Sequence, residues 1–600
     1  MQTHPCIYFN PFEPSRPGLF KKITTDALKP GLAGFDSRPG LLSDLRRPQP
    51  KNLSLMTDVI VGWNGRWRTR TPALLLGALA LSVALGAPVR SETLPLIPKW
   101  ERFEQAFVSS ILYGNPLQQA TLTVSFTSPL GERIVVCGFW DGGKVWRVRF
   151  TPDQPGRWSF TTACSDPSNR GLEHQTGAFL CTAAAGQNRF RQHGPVSIAR
   201  DRRHFEHRDG TPFFWLADST WDGARLSNPK DWETYARIRA AQEFTAVQWA
   251  VTPGADAAAE PAFAGDEQVA VNPEFFKRLD AKVDALNRAG LLSVILPFRY
   301  PERLPEDQTL LLLRYMVARW GEDGVAWVLR CDGSNPGDVA CGKRVGRAVF
   351  GNKPRAPVIL FSVDRAFDAF RDESWVSAWG YVSDMKNENS LRDLFSGPIA
   401  SEWKKEPARP LINIEPARES RSAQSRGRTT ADDVRLAAWW SLLLAPPAGV
   451  SYAAEGVTDW DTTVERQETG AAEGGVPAWQ ASLLLPGAKQ MSVVAAVFRP
   501  IQYWRLAPAA QFLAVQPGMV TAQRHIAAAA MDANHSILLY VPLDRSVRVS
   551  ADALPAWPIV NWINPRTGER SPGVAVIDGS VCQFPTPEPG DWLLTIKAGK

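Results

Sequence analysis

The spacing of hydrophobic and polar positions changes three times along this 600-residue chain. In the region that follows the N-terminal stretch, short runs alternate apolar with polar residues and are separated by glycine and proline clusters. These runs lie at residues 120–126, 133–136, 145–150 and 157–162. Alternation with regular turns predicts antiparallel strands that are buried on one face. We therefore expect a β-sandwich at residues 97–185.

From residue 205 onward, continuous apolar runs alternate with stretches of helical periodicity. The runs predict strands at residues 213–218, 245–251, 291–298, 325–332, 357–363, 411–414 and 449–454. Helices are predicted at residues 231–242, 273–289, 310–320 and 432–444. Six or seven strand–helix units fit one (β/α)8 TIM barrel at residues 200–505 better than an open doubly wound sheet. A doubly wound dinucleotide fold would need a glycine-rich phosphate loop after the first strand, and this sequence has none there.

Beyond residue 506 the helical pattern stops and short strands return. They are predicted at residues 536–541, 547–549, 559–563 and 592–596. This pattern predicts a second, smaller β-sandwich at residues 507–600. The predicted fold class is therefore multidomain α/β plus β, with a barrel flanked by two sandwiches.

The N-terminal stretch has the pattern of a disordered leader and an export signal. Residues 1–55 are rich in proline, glycine and arginine and lack any period, so we expect disorder there, or no translation if Met56 is the true start. Arginines at 66–70 precede an apolar run at 73–87 that ends in small residues and is too short to span a bilayer comfortably. We predict a signal peptide at 56–92 and an exported, periplasmic or extracellular protein. A membrane anchor is the alternative.

Composition narrows the possible partners and cofactors. The net charge of +6 is mild and the arginines are scattered, so no nucleic-acid partner is predicted. No histidine occurs between His207 and His525, which excludes histidine-based catalysis or metal binding in the barrel region. No CxxC motif suggests structural zinc. We therefore predict no metal and no cofactor, and no membrane span beyond the leader.

Six cysteines follow the predicted leader and could pair in an oxidising compartment. The pairs closest in sequence are Cys164–Cys181 and Cys331–Cys341. Spacing alone does not establish either pair.

Two predicted strands end in a carboxylate. Glu415 closes the run at 411–414 and is followed by proline, which cannot extend a strand ladder. Asp332 closes the earlier run and precedes a turn. The C-terminal strand ends of a barrel form its active face, and paired carboxylates there serve glycoside hydrolysis. Alternatively, Glu415 is an exposed acid paired with Arg418, and Asp332 caps a turn.

Other residues compete for these roles or could contact a sugar. Asp364 is a second candidate for the acid, and Glu455 is a second candidate for the nucleophile. Polar or aromatic residues at or just beyond predicted strand ends could bind sugar, although aromatic side chains there also plug barrel rims. These candidates are Asp218, Trp221, Gln248, Trp249, Arg299, Tyr300, Trp379, Tyr452 and Trp460.

Several motifs carry a resemblance to known families. The tryptophan-, glycine- and arginine-rich stretch at 138–158 resembles an immunoglobulin-like module found ahead of secreted glycoside hydrolase barrels. The rest of the chain resembles the apiosidase-like glycoside hydrolases, which are secreted bacterial (β/α)8 enzymes. The tail at 562–592 is similar to that family's collagen-binding module. The barrel motifs lie at 209–221, 244–248, 318–333, 414–419, 433–440 and 485–491.

The resemblance implies that Asp332 is the general acid/base and Glu415 the nucleophile. The sequence departs from the family pattern at Arg330 and Cys331, where relatives carry small residues. It also lacks the His and Gln expected in 361–364 and 377–380. We expect a retaining glycoside hydrolase that acts on a polysaccharide or oligosaccharide. The alternative is a noncatalytic carbohydrate- or matrix-binding protein with a degenerate barrel. The sequence does not predict an oligomeric state.

Overall fold

The computed structural model describes most of the chain from residue 93 onward. The described ranges are 93–299, 304–333, 335–351, 354–383, 387–423, 427–445, 448–462, 477–531 and 536–599. The residues from Leu94 onward belong to one compact unit. The predicted disordered segment, the predicted signal peptide and Tyr300 lie outside the described residues.

Eight parallel strands close into a barrel in sequence order, with the last strand pairing with the first. The strands are β1 Trp215–Ser219, β2 Ala246–Thr252, β3 Leu292–Phe298, β4 Val325–Arg330, β5 Val358–Phe361, β6 Ala378–Val382, β7 Leu411–Glu415 and β8 Gly449–Ala453. The TIM-barrel prediction is confirmed, but six or seven units was an underestimate. The missed strand is β6, whose five residues include Gly380 and are too short to give a clear period.

Helices follow most of these strands. They are α1 Pro229–Ala241, α2 Pro273–Arg288, α3 Glu306–Trp320, α4 Pro336–Phe350, α5 Glu388–Ser396, α6 Ala431–Leu444 and α7 Pro486–Phe498. A 3-10 helix, Ala366–Phe370, follows β5, and shorter helical turns lie at Gly223–Leu226, Pro398–Glu402 and Trp479–Ser482. Asparagine caps the N-termini of α1, α2 and α4 through its side chain, and proline occupies their first turn, where it needs no N–H partner.

Two hydrophobic layers surround the barrel strands. Trp215, Val294 and Ile414 pack inside the barrel, whereas Trp249 and Trp320 pack between strands and helices. The stretch Trp479–Phe498 is apolar and long enough to cross a membrane by length and composition alone, but more than half of it is buried in this outer layer.

The N-terminal β-rich domain consists of two antiparallel-rich sheets packed around an aromatic core. One sheet contains Leu96–Pro98, Thr176–Thr182, Gly156–Cys164, Leu122–Thr127 and Arg133–Cys137, and the other contains Phe103–Val108, Val145–Phe150 and Phe139–Trp140. Arg149 of this domain binds Asp280 of α2 at 2.8 Å, and Arg319 of α3 binds Asp141 at 2.9 Å. These largely buried ion pairs fix the domain against the barrel helices.

The C-terminal β-rich domain is also a two-sheet structure. Its larger sheet contains Ala507–Pro508, Ala527–Met531, Ser536–Val541, Trp592–Ala598, Pro558–Ile563 and Arg570–Pro572, and the smaller contains Ser546–Ser550, Val581–Pro585 and Val576–Asp578. Arg435 of α6 donates to both carboxylate oxygens of Asp591, at 2.6 and 2.8 Å. Tyr540 donates to the same carboxylate at 2.8 Å, so a buried polar cluster joins this domain to the barrel.

The structure does not join Cys164 to Cys181, one of the two pairs that the sequence left open. The two strands that carry these residues pair with Gly156 opposite Cys181, which leaves Cys164 at the far end of the hairpin. Both thiols are free. The sulfur of Cys331 lies against α4, beside Gly342, the neighbour of Cys341. The Cys331–Cys341 pair stays a prediction.

Candidate active site

Glu415 is the last residue of β7, at the C-terminal face of the barrel. The proline that follows it ends the strand ladder, as the sequence predicted. Its side chain is 30% exposed, and Oε1 lies 3.4 Å from Nη2 of Arg418. This long contact orients the carboxylate but leaves it accessible from the barrel mouth.

Asp332 lies two residues beyond the end of β4, and its side chain is 21% exposed. The backbone N–H of Val363 donates to Oδ1 at 2.9 Å, and Arg330 approaches Oδ2 at 3.4 Å. One carboxylate oxygen is therefore fixed by the backbone of the neighbouring strand end, while the other has only a long charged contact.

Asp364, the second candidate for the acid, makes the reciprocal contact. It accepts from the Gly333 N–H at 2.7 Å and from the Ser362 hydroxyl at 2.7 Å. Asp332 and Asp364 thus tie the ends of β4 and β5 to each other. Because both bonds of Asp364 are short and come from neutral donors, we assign it to holding this loop pair.

A chain of ion pairs crosses the barrel mouth beside Glu415. Arg418 binds Asp459 at 3.2 Å, and Arg299 binds both Asp459, at 2.8 Å, and Asp222, at 2.6 Å. Burial raises the pKa of Asp459, but the charges of Arg418 and Arg299 outweigh that effect and leave its pKa below the ordinary value. These contacts join the loops that follow β1, β3, β7 and β8.

Glu455, the second candidate for the nucleophile, shares the same arginine. Its Oε2 lies 3.8 Å from Nη1 of Arg418, and burial raises its pKa. Arg418 therefore stands between Glu415 and Glu455 and contacts Asp459 as well. Asp222 and Asp459 were missed from sequence, although each lies just after a predicted strand and close to further charged residues.

A family model described as the apiosidase-like catalytic domain matches residues 199–505, which are more than half of the chain. The chain belongs to the apiosidase-like family. It is a glycoside hydrolase. A domain of unknown function, DUF5060, matches residues 96–165. No curated protein matches this apiosidase-like enzyme.

Solved structures share the fold. A glycoside hydrolase is 15% identical, with a TM-score of 0.59 over 69% of this chain and 99% of the other. A family 5 glycoside hydrolase from Bacteroides vulgatus ATCC 8482 is 17% identical, with a TM-score of 0.59 over 69% of this chain and 95% of the other. A second protein from that organism, likewise described as a glycoside hydrolase, is 17% identical, with a TM-score of 0.62 over 84% of this chain and 99% of the other.

Five predicted sugar contacts of the apiosidase-like enzyme are corrected by the structure. All are buried in the hydrophobic layer outside the barrel, and they are Asp218, Trp249, Trp379, Tyr452 and Trp460. For the four that lie in strands the reason is strand alternation, whereas Trp460 lies seven residues beyond β8. Trp249, for example, lies between Gln248 and Ala250, which point into the barrel, so its own side chain points outward.

The three tryptophans have structural partners in this layer. Trp249 donates to the hydroxyl of Ser293 at 2.7 Å, Trp379 stacks on Phe367, and Trp460 stacks on Trp479 with 4.3 Å between ring centroids. Their faces are covered by protein rather than open to a ligand.

Asp218 forms a fully buried ion pair. Arg239 donates to it at 2.7 Å and the Tyr235 hydroxyl at 2.6 Å. Both charged side chains have no exposed surface. Asp218 therefore anchors α1 to β1.

Tyr452 binds Glu419, a residue of the family motif, in the same layer. Glu419 also accepts from the Gly487 N–H at 3.0 Å, in the first turn of α7. A Cβ at Gly487 would lie 2.4 Å from the Glu419 carboxylate, which explains the glycine in the motif at 485–491. Glu419 thus caps α7, where the helix dipole favours a negative charge.

Trp221, Gln248 and Arg299 complete the predicted set. Trp221 is buried inside the barrel near the mouth, and Arg299 belongs to the ion-pair chain described above. Gln248 is fully buried in the barrel and donates to the carbonyl of Ile414 at 2.9 Å, one residue before Glu415. The role predicted for Gln248 is therefore corrected: it supports the end of β7 and does not contact sugar.

Among the described residues, no group of three or more His, Cys, Asp or Glu side chains could hold a metal ion.

Proposed function

We propose that this apiosidase-like glycoside hydrolase is exported and cleaves glycosidic bonds of a polysaccharide or oligosaccharide with retention of configuration. Glu415 is the nucleophile and Asp332 the general acid/base. One observation carries the proposal: two partly exposed carboxylates stand at the C-terminal ends of β4 and β7, each with a long charged contact of 3.4 Å.

In the first step, a Glu415 oxygen attacks the anomeric carbon while the bond to the leaving oxygen breaks. Asp332 gives that oxygen its proton, and a glycosyl ester forms on Glu415. In the second step, Asp332 removes a proton from water, which attacks the same carbon and releases Glu415. Two inversions give net retention.

Neighbouring residues hold the two carboxylates for these steps. Arg418 and, through the β7 backbone, Gln248 position Glu415. The Val363 N–H positions Asp332 and leaves the second oxygen to meet the substrate. Such support by fixed neighbours is what a reactive pair requires, because misplacement of about 1 Å can cost about 100-fold in rate.

The test is hydrolysis of a panel of plant and bacterial polysaccharides by the mature protein. The first-formed anomer of a cleaved substrate is then read by proton NMR. Retention fits carboxyl groups about 5–5.5 Å apart, whereas an inverted product would indicate about 6.5–9.5 Å and a single displacement. Inversion would overturn the double-displacement proposal.

Export is tested separately by expressing the chain with and without residues 56–92 in a Gram-negative bacterium. We expect the full chain in the periplasm or medium and the truncated chain in the cytoplasm. Equal distribution of both would contradict export through this segment.

A further inference from the structure

A cavity of about 520 Å³ lies between the N-terminal β-rich domain and helices α3 and α4. This volume falls within the range of about 300–1,000 Å³ that is usual for small-molecule sites, which often form where domains meet. Glu322 and residues 354–356 line it, in the loops that precede β4 and β5. The cavity is therefore at the opposite end of the barrel from Asp332 and Glu415.

Apolar side chains form two facing walls of this cavity. Val135 and Trp140 come from the N-terminal domain, and Leu311, Tyr315 and Ala318 lie on one face of α3. Val135 is 57% exposed, so a sizeable apolar side chain remains uncovered there. The Tyr315 hydroxyl donates to the Trp140 carbonyl at 3.0 Å and fixes one wall against the other. The cavity is preformed.

The charges at the cavity wall are unbalanced. Arg149 is bound by Asp280, and Arg355 is bound by Glu322. Arg314 of α3 donates to the Ala348 carbonyl at 3.2 Å but forms no ion pair with any residue that the structure describes. Its guanidinium is thus available to an anion at the edge of the apolar walls.

The Cys137 thiol lies close enough to the Arg314 guanidinium to feel its charge. Burial raises the pKa of Cys137, and the charge of Arg314 opposes the rise. Cys137 lines the cavity, so the cavity walls shield its thiol from part of the solvent while part of its surface stays accessible. Arg314 and Cys137 therefore face the same space, and thiol reactivity can monitor its occupancy.

We propose that this cavity binds a small amphipathic carboxylate, with its apolar body between Trp140 and α3 and its carboxylate on Arg314. Aromatic and aliphatic side chains both line the walls, so an aryl or a medium-chain alkyl carboxylate satisfies the same chemistry. The site is independent of the hydrolytic reaction at the other end of the barrel.

The experiment is isothermal titration of the full chain with 4-phenylbutyrate and decanoate, each beside its neutral alcohol. We expect at least one carboxylate to bind. The compound with the lower dissociation constant shows whether the cavity prefers an aryl or an alkyl group. Arg314→Gln should weaken carboxylate binding by about 10-fold, the loss of one charge-assisted contact, but leave the alcohol unaffected. Arg237→Gln on α1, which is likewise an exposed arginine, is the matched control and should bind as wild type.

A second variant and a second readout separate binding from misfolding. Ala318→Phe should fill the cavity and abolish binding of both compounds, while glycan hydrolysis stays at the wild-type rate. In wild type, the bound carboxylate should slow alkylation of Cys137 by iodoacetamide. Peptide mass mapping measures the alkylated fraction. The proposal is overturned if neither carboxylate binds at millimolar concentration, if Arg314→Gln binds as wild type, or if Cys137 is alkylated equally with and without ligand.

Discussion

Carboxylates at or just beyond the C-terminal ends of the barrel strands fall into two groups with opposite surroundings. Asp332 and Glu415, at the mouth, are partly exposed and have charged neighbours only at 3.4 Å. Asp218 and Glu419, on the outer side, are buried and tightly bonded, with Arg239 at 2.7 Å from Asp218 and the Gly487 N–H at 3.0 Å from Glu419. The side of the strand that a carboxylate faces, rather than its position at a strand end, decides whether it can meet a substrate.

This contrast has an energetic basis. A buried carboxylate is stable only when neighbouring donors replace water, and those donors then occupy the oxygens that chemistry would need. A partly exposed carboxylate keeps an oxygen free at a small cost in stability. Substitution should therefore affect rate in the first group and folding in the second.

A large effect on rate is expected at Asp332. Asp332→Asn removes the transferable proton, so the hydrolysis rate should fall by about 10²–10⁴-fold without loss of stability. Asp364→Asn, on the neighbouring strand end, changes the same group but should reduce the rate by no more than about 10-fold, because it loses only a hydrogen bond to the Gly333 N–H. Equal losses of initial rate in the two variants would contradict the assignment of Asp332, rather than Asp364, as the general acid/base.

Asp218→Asn should lower stability rather than the hydrolysis rate. It leaves the Arg239 charge buried and uncompensated, and we expect a loss of about 3–5 kcal/mol in unfolding free energy. The rate per folded molecule should match wild type. Urea unfolding measures the first quantity, and initial rates corrected for the folded fraction measure the second. A stable but inactive Asp218→Asn would place this carboxylate in the catalytic group after all.

A buried acid away from the mouth allows a pH test. Burial raises the pKa of Asp323 to about 6, despite its 2.8 Å contact with Arg102. The folded state therefore holds this proton more tightly than the unfolded chain, so its stabilising effect is full below about pH 4 and is lost as pH rises to about 6. Asp323→Asn should flatten this part of the stability curve, by about 3 kcal/mol. Parallel wild-type and variant curves would refute the assignment.

The smallest effect is expected at Arg418, which touches Glu415 and Glu455 but not, in this mechanism, the reacting atoms. Arg418→Gln should lower kcat by about 10-fold with little change in KM, because only the position of the nucleophile is disturbed. Arg418→Lys should recover part of this loss, and the pH–rate profile should shift in the Gln variant alone. An unchanged kcat in Arg418→Gln would remove Arg418 from the positioning network.

The sequence revealed the barrel because its parallel strands are continuous apolar runs that end abruptly. It also located Glu415 and Asp332, since a carboxylate followed by proline or a turn is a recognisable strand end. The direction of each side chain was hidden, because strands buried on both faces lack alternation. Trp249 and Trp379 were therefore assigned to the mouth although they face the helices. The role of Glu419 depends on α7, about seventy residues later, and no local pattern predicts such a contact.

The most direct test compares Glu415→Gln with Glu419→Gln, the same chemical change four residues apart on opposite sides of the barrel wall. Hydrolysis of a cleaved glycan should fall at least about 10³-fold in Glu415→Gln, which remains as stable as wild type. Glu419→Gln should keep nearly wild-type activity per folded molecule but lose about 1–2 kcal/mol of stability through the weakened cap on α7. Full activity in Glu415→Gln, or a folded and inactive Glu419→Gln, would contradict the assignment of the nucleophile.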